Sequence, residues 1–143
     1  MSPTGEKTGC CWCGAIAYVI NGPLGDTALC HCSSCRLATG APAVAWTTVD
    51  AAALKTVAGV PTERETSPGV MRSHCARCGT HLFYRRTAEP TTVDVTTVTL
   101  DHPPPISAHI WVRQKVAWLA LDDGLPAFET DRSDGDTDST AGD

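Results

Sequence analysis

Eight cysteines in 143 residues constrain this chain more than any other feature. They fall into closely spaced groups: Cys10 with Cys11-x-Cys13, then Cys30-x-Cys32-x-x-Cys35, then Cys75-x-x-Cys78. In C-x-C on extended backbone alternate side chains share a face, and in C-x-x-C a tight turn brings two sulfurs together. Zinc favours tetrahedral thiolate coordination at about 2.3 Å. The spacings therefore predict two zinc ions per chain, held by seven of the eight cysteines.

The seven cysteines can be divided between the two ions in two ways. The first division gives a closed four-sulfur site, the structural form of zinc, and a three-sulfur site with an open position, the catalytic form. The closed site comprises Cys11, Cys13, Cys75 and Cys78. The open site comprises Cys30, Cys32 and Cys35. The second division is a zinc ribbon made by the two C-x-x-C pairs, which leaves three cysteines unexplained and spans a long gap. Spacing favours the first division and leaves the second open.

Composition places the chain among reduced globular proteins. Its hydrophobic content of 42% and length of 143 residues suit one domain with a core of its own. No apolar run approaches the roughly 18 residues that span a bilayer, and the first residues contain no apolar signal region. We therefore expect a cytoplasmic protein, in which a cysteine cluster indicates metal or catalysis more often than disulfides.

The charge is unevenly distributed along the chain. Five Asp and one Arg give residues 131–143 a charge of −4 out of the chain's net −5, so residues 1–130 carry about −1. The acidic segment has almost no apolar side chain, which predicts a disordered tail after a zinc-binding domain at residues 1–130. A nearly neutral domain lacks the basic field that dominates nucleic-acid affinity, so we expect no nucleic-acid partner.

The pattern along the chain predicts a mainly β fold. Short segments rich in β-branched residues alternate with Gly and Pro turn signals, and no long segment has helical periodicity. Strands are predicted at residues 14–20, 27–30, 44–49, 62–66, 70–74, 81–86, 92–100, 108–112 and 116–121. A single helical turn is predicted at residues 33–38, and a short turn at residues 51–54 with Asp50 as its cap.

Longer motifs resemble the glutathione-dependent formaldehyde-activating family, which includes centromere protein V. The motifs are GCCWCG at 9–14, CHCSSCR at 30–36, TGAP at 39–42, RSHCARCGT at 72–80, and Trp118 with DGLP at 123–126. They occur in the family's order and cover roughly residues 6–129. The resemblance implies a small, zinc-stabilised, tent-like domain of short antiparallel strands. It also implies structural zinc at the four-sulfur site and active-site zinc at the three-sulfur site.

The resemblance further implies carbon–sulfur bond chemistry on a small thiol adduct, with the glutathione–formaldehyde adduct as the namesake substrate. The expected function is therefore that of a zinc-dependent carbon–sulfur lyase. Independently, a zinc ion with three thiolates carries a net charge of −1 and can accept an incoming thiol, which it holds as thiolate. The alternative is a non-catalytic binding module, in which both metals stabilise a small fold.

The remaining cysteine and three histidines have structural and functional interpretations. Cys10 is out of phase with Cys13 and is expected not to bind metal. His31 lies between two ligands on extended backbone, so we expect its ring to turn away from the metal. His74 is expected to pack in the fold. His81 is either an acid or base at the open zinc or a strand histidine.

Arginines and tryptophans near the motifs also allow two interpretations. Arg36 and Arg72 either bind a substrate carboxylate or brace loops. The four tryptophans are interpreted as core or pocket wall. They are Trp12, Trp46, Trp111 and Trp118.

Overall fold

The computed structural model describes residues 5–131, and short strands are its main regular structure. The strands are β1 (Glu6–Cys10), β2 (Ala17–Asn21), β3 (Thr27–Cys30), β4 (Val44–Asp50), β5 (Leu54–Ala58), β6 (Thr62–Ser67), β7 (Val70–His74), β8 (His81–Arg86), β9 (Thr92–Thr96) and β10 (Ala108–Ile110). Helix α1 spans Ser33–Thr39, and 3₁₀ turns occupy Ala51–Ala53, Thr97–Thr99 and Val112–Gln114. The predicted mainly β fold class is confirmed. Residues 132–143 of the predicted acidic tail lie outside the described part of the chain.

The chain divides into two compact units, each built from two separate stretches of sequence. The first unit contains the chain up to Gly25 and Thr47–Pro104, and the second contains Asp26–Trp46 and the chain from Pro105 onward. Strand β4 begins in the second unit and ends in the first. No helix among the described residues is long and apolar enough to cross a membrane.

The first unit contains a three-stranded sheet and a run of further strands. The three-stranded sheet has the order β1-β2-β5, and the other strands follow the order β4-β9-β8-β7-β6. Tyr18 and Leu82 are fully buried between these elements, and the Tyr18 ring meets the Phe83 ring edge-on at 5.3 Å. Burying such side chains contributes about 1.5–3 kcal/mol each. Gly9 is required beside Tyr18, because a Cβ at this position would clash with the tyrosine ring.

The second unit is built around β3 and β10, which pair in parallel. The backbone N–H of His31 extends this pairing by donating to the Ile110 carbonyl at 3.0 Å. Cys32 then caps α1, since its sulfur accepts a hydrogen bond from the Cys35 N–H. Gly40 ends the helix in the left-handed conformation that glycine adopts without strain, with its N–H on the Arg36 carbonyl at 2.7 Å. The short helix is thus fixed at both ends.

Several predicted elements differ from the structure. The strand predicted at residues 116–121 is wrong, because the Lys115 ammonium donates to the carbonyls of Val116 and Leu119 and closes a turn there. The strand predicted at 108–112 ends at Ile110, because the next residue, Trp111, adopts a left-handed φ of 58°. Such a conformation is rare for a bulky residue and indicates a constrained turn.

Other differences concern polar segments and turns. The strand predicted at 92–100 ends at Thr96, since a 3₁₀ turn follows it. Asp50 makes no capping side-chain hydrogen bond at the turn that follows β4, so its predicted role there is wrong. Strands β1 and β5 were not predicted. These two segments lack a strand pattern in their own sequences, and each becomes a strand by pairing with one edge of β2.

Candidate metal centres

The first candidate centre is a four-cysteine cluster in the first unit. Two of its cysteines lie in the loop after β1 and two in the turn between β7 and β8. The members are Cys11, Cys13, Cys75 and Cys78, whose sulfur atoms all lie within 4.8 Å of one another. The sulfur of Cys13 is 3.7 Å from that of Cys11 and 3.8 Å from that of Cys75. Four ligands at about 2.3 Å around zinc define a tetrahedron with edges of about 3.8 Å, so the cluster fits zinc.

Backbone amides surround the sulfurs of this cluster. The N–H of Ile16 donates to Cys11 Sγ at 3.3 Å, and the N–H of Cys78 donates to Cys75 Sγ at 3.4 Å. Gly79 has a φ of 84°, and its N–H donates to the Cys75 carbonyl at 2.8 Å, which closes the tight turn. These donors favour thiolates over thiols, as a metal centre requires.

The thiols of this cluster differ in pKa. Hydrogen bonds from the side chain and backbone of Thr80 lower the pKa of Cys78 to about 5. Burial opposes ionisation of Cys11, but the Ile16 N–H and the thiols of Cys13 and Cys75 lower its pKa. At Cys13 the Ala15 N–H favours the thiolate, yet burial and the adjacent sulfurs raise the pKa to about 11. Without a cation, therefore, the cluster does not hold all of its negative charges at neutral pH.

The second candidate centre is a three-cysteine cluster in the second unit. Cys30 ends β3, Cys32 caps α1, and Cys35 lies in the first turn of that helix. All three side chains are buried, and their sulfur atoms lie within 4.8 Å of one another. The N–H of Cys35 donates to Cys32 Sγ at 3.2 Å. Within residues 5–131, no fourth His, Cys, Asp or Glu joins this group.

The thiols of the three-cysteine cluster resist ionisation by themselves. The pKa of Cys30 is raised by its hydrogen-bonded neighbours Cys32 and Cys35 and by burial. The hydrogen bond with Cys30 favours the Cys32 thiolate. The neighbouring Cys35 and burial have the larger opposite effect and raise the pKa of Cys32 to about 12. A divalent cation offsets this repulsion, because metal binding displaces the thiol protons. Three adjacent soft ligands without a carboxylate suit zinc.

A turn from elsewhere in the second unit braces the three-cysteine segment. The left-handed conformation of Trp111 starts the 3₁₀ turn Val112–Gln114. The turn places the Gln114 side-chain oxygen 2.7 Å from the backbone nitrogen of Ser33, which donates to it. This bond satisfies an N–H in the first turn of α1, between two of the clustered cysteines. Gln114 was not identified from the sequence, since no local pattern relates it to Ser33.

His31 belongs to a chain of side-chain hydrogen bonds that runs from two buried histidines to an exposed aspartate, rather than to the cysteine cluster. Its Nε2 lies 2.9 Å from Nδ1 of His109, whose Nε2 lies 2.8 Å from an oxygen of Asp123. Burial, followed by the charges of His109 and Lys115, lowers the pKa of His31 to about 4, so the ring is neutral at pH 7. The hydrogen bond from His109 lowers the pKa of Asp123. Sequence analysis missed His109, which lies 78 positions from His31.

The remaining residues for which the sequence allowed both a structural and a functional role have different environments. Cys10 is exposed and lies outside both clusters. The His74 and His81 rings lie side by side on β7 and β8 with centroids 6.0 Å apart, and a catalytic role for His81 stays a prediction. Arg72 is buried and stacks over the Tyr84 ring at 4.9 Å, which supports its bracing role. The Nε of Arg36, by contrast, is buried without a hydrogen-bond partner.

The tryptophans do not all fill the core. Trp46 and Trp111 are buried, as predicted. The prediction is wrong for Trp12 and Trp118, which are 90% and 75% exposed. Trp12 lies in the turn after β1, between two of the clustered cysteines.

Comparisons with known proteins now decide the family. A family model described as glutathione-dependent formaldehyde-activating enzyme matches residues 6–114. The chain belongs to this family. A solved crystal structure of a Rhodobacter sphaeroides protein is similar, with a TM-score of 0.57 and 25% sequence identity over 68% of this chain and 91% of that chain. A search of curated proteins finds no significant match.

The resemblance drawn from the motifs is therefore confirmed. The matched range includes both cysteine clusters, His109 and Gln114. Asp123, at the outer end of the histidine chain, lies beyond it.

Proposed function

We propose that this chain is a zinc-dependent enzyme of the carbon–sulfur lyase type that acts on a small thiol adduct. The glutathione–formaldehyde adduct is the example that the family description supplies. The observation that carries the proposal is the unequal ligand number of the two clusters, four cysteines in one and three in the other. Structural zinc sites are closed, whereas catalytic sites keep one position for water or substrate.

The cysteines have different roles in this proposal. The four-cysteine cluster holds a structural zinc in the first unit. Cys30, Cys32 and Cys35 hold the second zinc, which when bound acts as a Lewis acid and lowers the pKa of a thiol that joins it. The chain's own contribution is to keep these three sulfurs buried and fixed, through the Cys35 N–H on Cys32 and the Gln114 brace on Ser33. A fixed, water-poor site orients the reacting sulfur and carbon.

The proposed reaction needs no oxidant or reductant. In the cleavage of a hydroxymethyl thioether, the carbon–sulfur bond breaks and its electron pair stays on sulfur. The hydroxyl oxygen loses its proton as the carbonyl double bond forms, and sulfur gains a proton. Addition of the thiol to the aldehyde is the reverse process. A neutral thiol and a neutral aldehyde therefore balance the adduct in either direction.

A reducing location and a small-thiol partner accompany this proposal. The clustering of seven cysteines as candidate metal ligands supports a cytoplasmic setting, where thiols stay reduced. The thiol partner is supported by the family description and by the affinity of zinc for soft sulfur ligands.

Exchange spectroscopy by NMR tests the proposal, because it separates catalysis from the spontaneous reaction at equilibrium. We expect the zinc-loaded protein to accelerate exchange between formaldehyde and its glutathione adduct above the background rate. Cys32→Ser should return the rate to background, and Cys10→Ser, outside both clusters, should leave it unchanged. Should the native protein not accelerate exchange of this adduct or of a panel of related thioether adducts, the alternative of a non-catalytic zinc-stabilised module would replace the proposal.

A further inference from the structure

Two buried side-chain nitrogens have no hydrogen-bond partner among residues 5–131, and both belong to the three-cysteine motif. They are Nδ1 of His31 and Nε of Arg36. His31 is already held through its other ring nitrogen by His109. Arg36 is different, because its side chain makes no hydrogen bond or ion pair with any described residue. Arg36 as a whole is half-buried, but its Nε is a buried donor without an acceptor, which is unfavourable.

The position of Arg36 places it beside the cysteine cluster. It follows Cys35 directly, and its backbone N–H donates to the Cys32 carbonyl at 3.1 Å, so it lies one helical turn after Cys32. Residues four apart on a helix share a face, with Cβ atoms about 5–6 Å apart. Helical side chains tilt toward the helix N-terminus, so the Arg36 side chain is expected to lean toward the turn that begins at the N-cap Cys32.

Other arginines in the chain show what Arg36 lacks. Arg85 binds Glu63 through two nitrogens, at 2.7 Å and 2.8 Å. Arg72 stacks on the Tyr84 ring. The first turn of α1 contains no acidic residue. A guanidinium presents a planar fork of donors, and a carboxylate is its matching acceptor.

We propose that Arg36 binds the carboxylate of the thiol that enters the three-cysteine site, and that it thereby selects acidic thiols over neutral ones. This inference rests on the proposed function, since it assumes that a thiol enters that site. A monoanionic carboxylate fits better than a phosphate dianion, because three thiolates around a divalent cation already carry one net negative charge. Arg36 is thus a specificity-determining residue placed one turn from Cys32.

Isothermal titration calorimetry on the zinc-loaded protein tests the proposal with two thiols of the same shape. The probes are 3-mercaptopropionate and its neutral amide, 3-mercaptopropionamide. We expect the native protein to bind the carboxylate about tenfold more tightly, as a charge-assisted hydrogen bond provides. Arg36→Gln should reduce this ratio to about one without changing the affinity for the amide. Arg36→Lys should retain part of the preference, because lysine keeps the charge but not the fork.

Arg77→Gln is the matched control. Arg77 is an exposed arginine in the cysteine turn of the other cluster, so its replacement removes the same charge and should leave the ratio unchanged. A carboxylate preference that survives in Arg36→Gln would overturn the inference. So would an equal weakening of both thiols accompanied by zinc loss, which would make Arg36 a support of the cluster itself. If the native protein binds the amide but shows no preference, the inference alone fails, and if it binds neither thiol, the proposed function fails with it.

Discussion

The two cysteine clusters use the same side chain and the same kind of turn, but the chain builds them differently. The four-cysteine cluster joins two distant segments, and Cys13 and Cys75 in it are 62 positions apart. The three-cysteine cluster lies within residues 30–35. A metal that joins distant segments closes a long loop and so stabilises the folded state, whereas one within six residues closes almost none. Connectivity therefore supports the proposal that the first cluster serves folding and the second serves chemistry.

The clusters also differ in how readily their thiols ionise. In the four-cysteine cluster the pKa values of Cys78 and Cys11 are lowered, whereas that of Cys13 is raised. In the three-cysteine cluster those of Cys30 and Cys32 are raised, because each buried sulfur faces like neighbours. The first cluster is thus better prepared for metal, and the second depends more on the metal's own charge.

Removing one cysteine from each cluster should give the largest contrast. We expect Cys75→Ser to lower the free energy of unfolding by more than about 4 kcal/mol, since loss of a structural metal is among the most damaging changes. Cys32→Ser should cost less than half as much, because its cluster closes no long loop. Chemical denaturation of the zinc-loaded proteins measures both. Cys10→Ser is the control and should stay within about 0.5 kcal/mol of the native value. Equal losses at Cys75 and Cys32 would contradict the division of roles.

Competition with a chelator should separate the two metals. We expect two zinc ions per chain, with one bound at least about 100-fold more weakly, because even outer partners of a metal site change affinity about 10- to 100-fold and a missing ligand matters more. Cys32→Ser should abolish the weaker class, as measured by zinc release to a chromogenic chelator. Two classes of equal affinity would show that the second site is closed as well.

Lower pH should empty the three-cysteine cluster first. Zinc displaces a proton from each thiol that is protonated beforehand, and each displaced proton makes affinity fall about tenfold per pH unit. The raised pKa values of Cys30 and Cys32 mean that both thiols carry protons at neutral pH. In the four-cysteine cluster Cys13, with a pKa of about 11, also carries a proton, but Cys78, with a pKa of about 5, carries none. Zinc content after dialysis at a series of pH values below 8 gives the order of release. Loss of the four-cysteine metal at the higher pH would reverse the account.

The smallest effect concerns the brace on α1. Gln114→Ala removes the acceptor of the Ser33 N–H and should weaken zinc at the three-cysteine cluster by about tenfold, the scale of an outer partner. Zinc at the four-cysteine cluster should be unaffected, because Gln114 belongs to the other unit. Arg113→Ala, one residue earlier and exposed, is the control. An equal change at both clusters would indicate general destabilisation instead of local bracing.

Much of the fold was accessible from the sequence, since its signals are local. Predicted strands at 27–30, 70–74 and 81–86 match β3, β7 and β8, because β-branched and aromatic residues there are bounded by turns. Short spacings also favour the grouping of seven cysteines as four and three, and the folded positions bring together the same sets. The spacing within each pair is local, whereas the approach of Cys13 to Cys75 across 62 positions depends on the fold.

The parts that escaped prediction depend on contacts between distant segments. His109 is identified only by its approach to His31, and Gln114 only by its bond to Ser33. Strand β1 contains mostly polar residues and is ordered by pairing with β2. The exposure of Trp12 likewise follows from how its turn is placed, because an aromatic residue by itself predicts burial. Tertiary contacts override the local signal at each of these positions.

A crystal structure of the zinc-loaded protein grown with 3-mercaptopropionate would test the central claim, that the three-cysteine cluster is an open zinc site for a thiol. The account predicts one zinc bound by Cys11, Cys13, Cys75 and Cys78, and a second bound by Cys30, Cys32, Cys35 and the sulfur of the added thiol, at about 2.3 Å. A second zinc closed by a fourth protein ligand, or a cluster that binds no zinc, would contradict it.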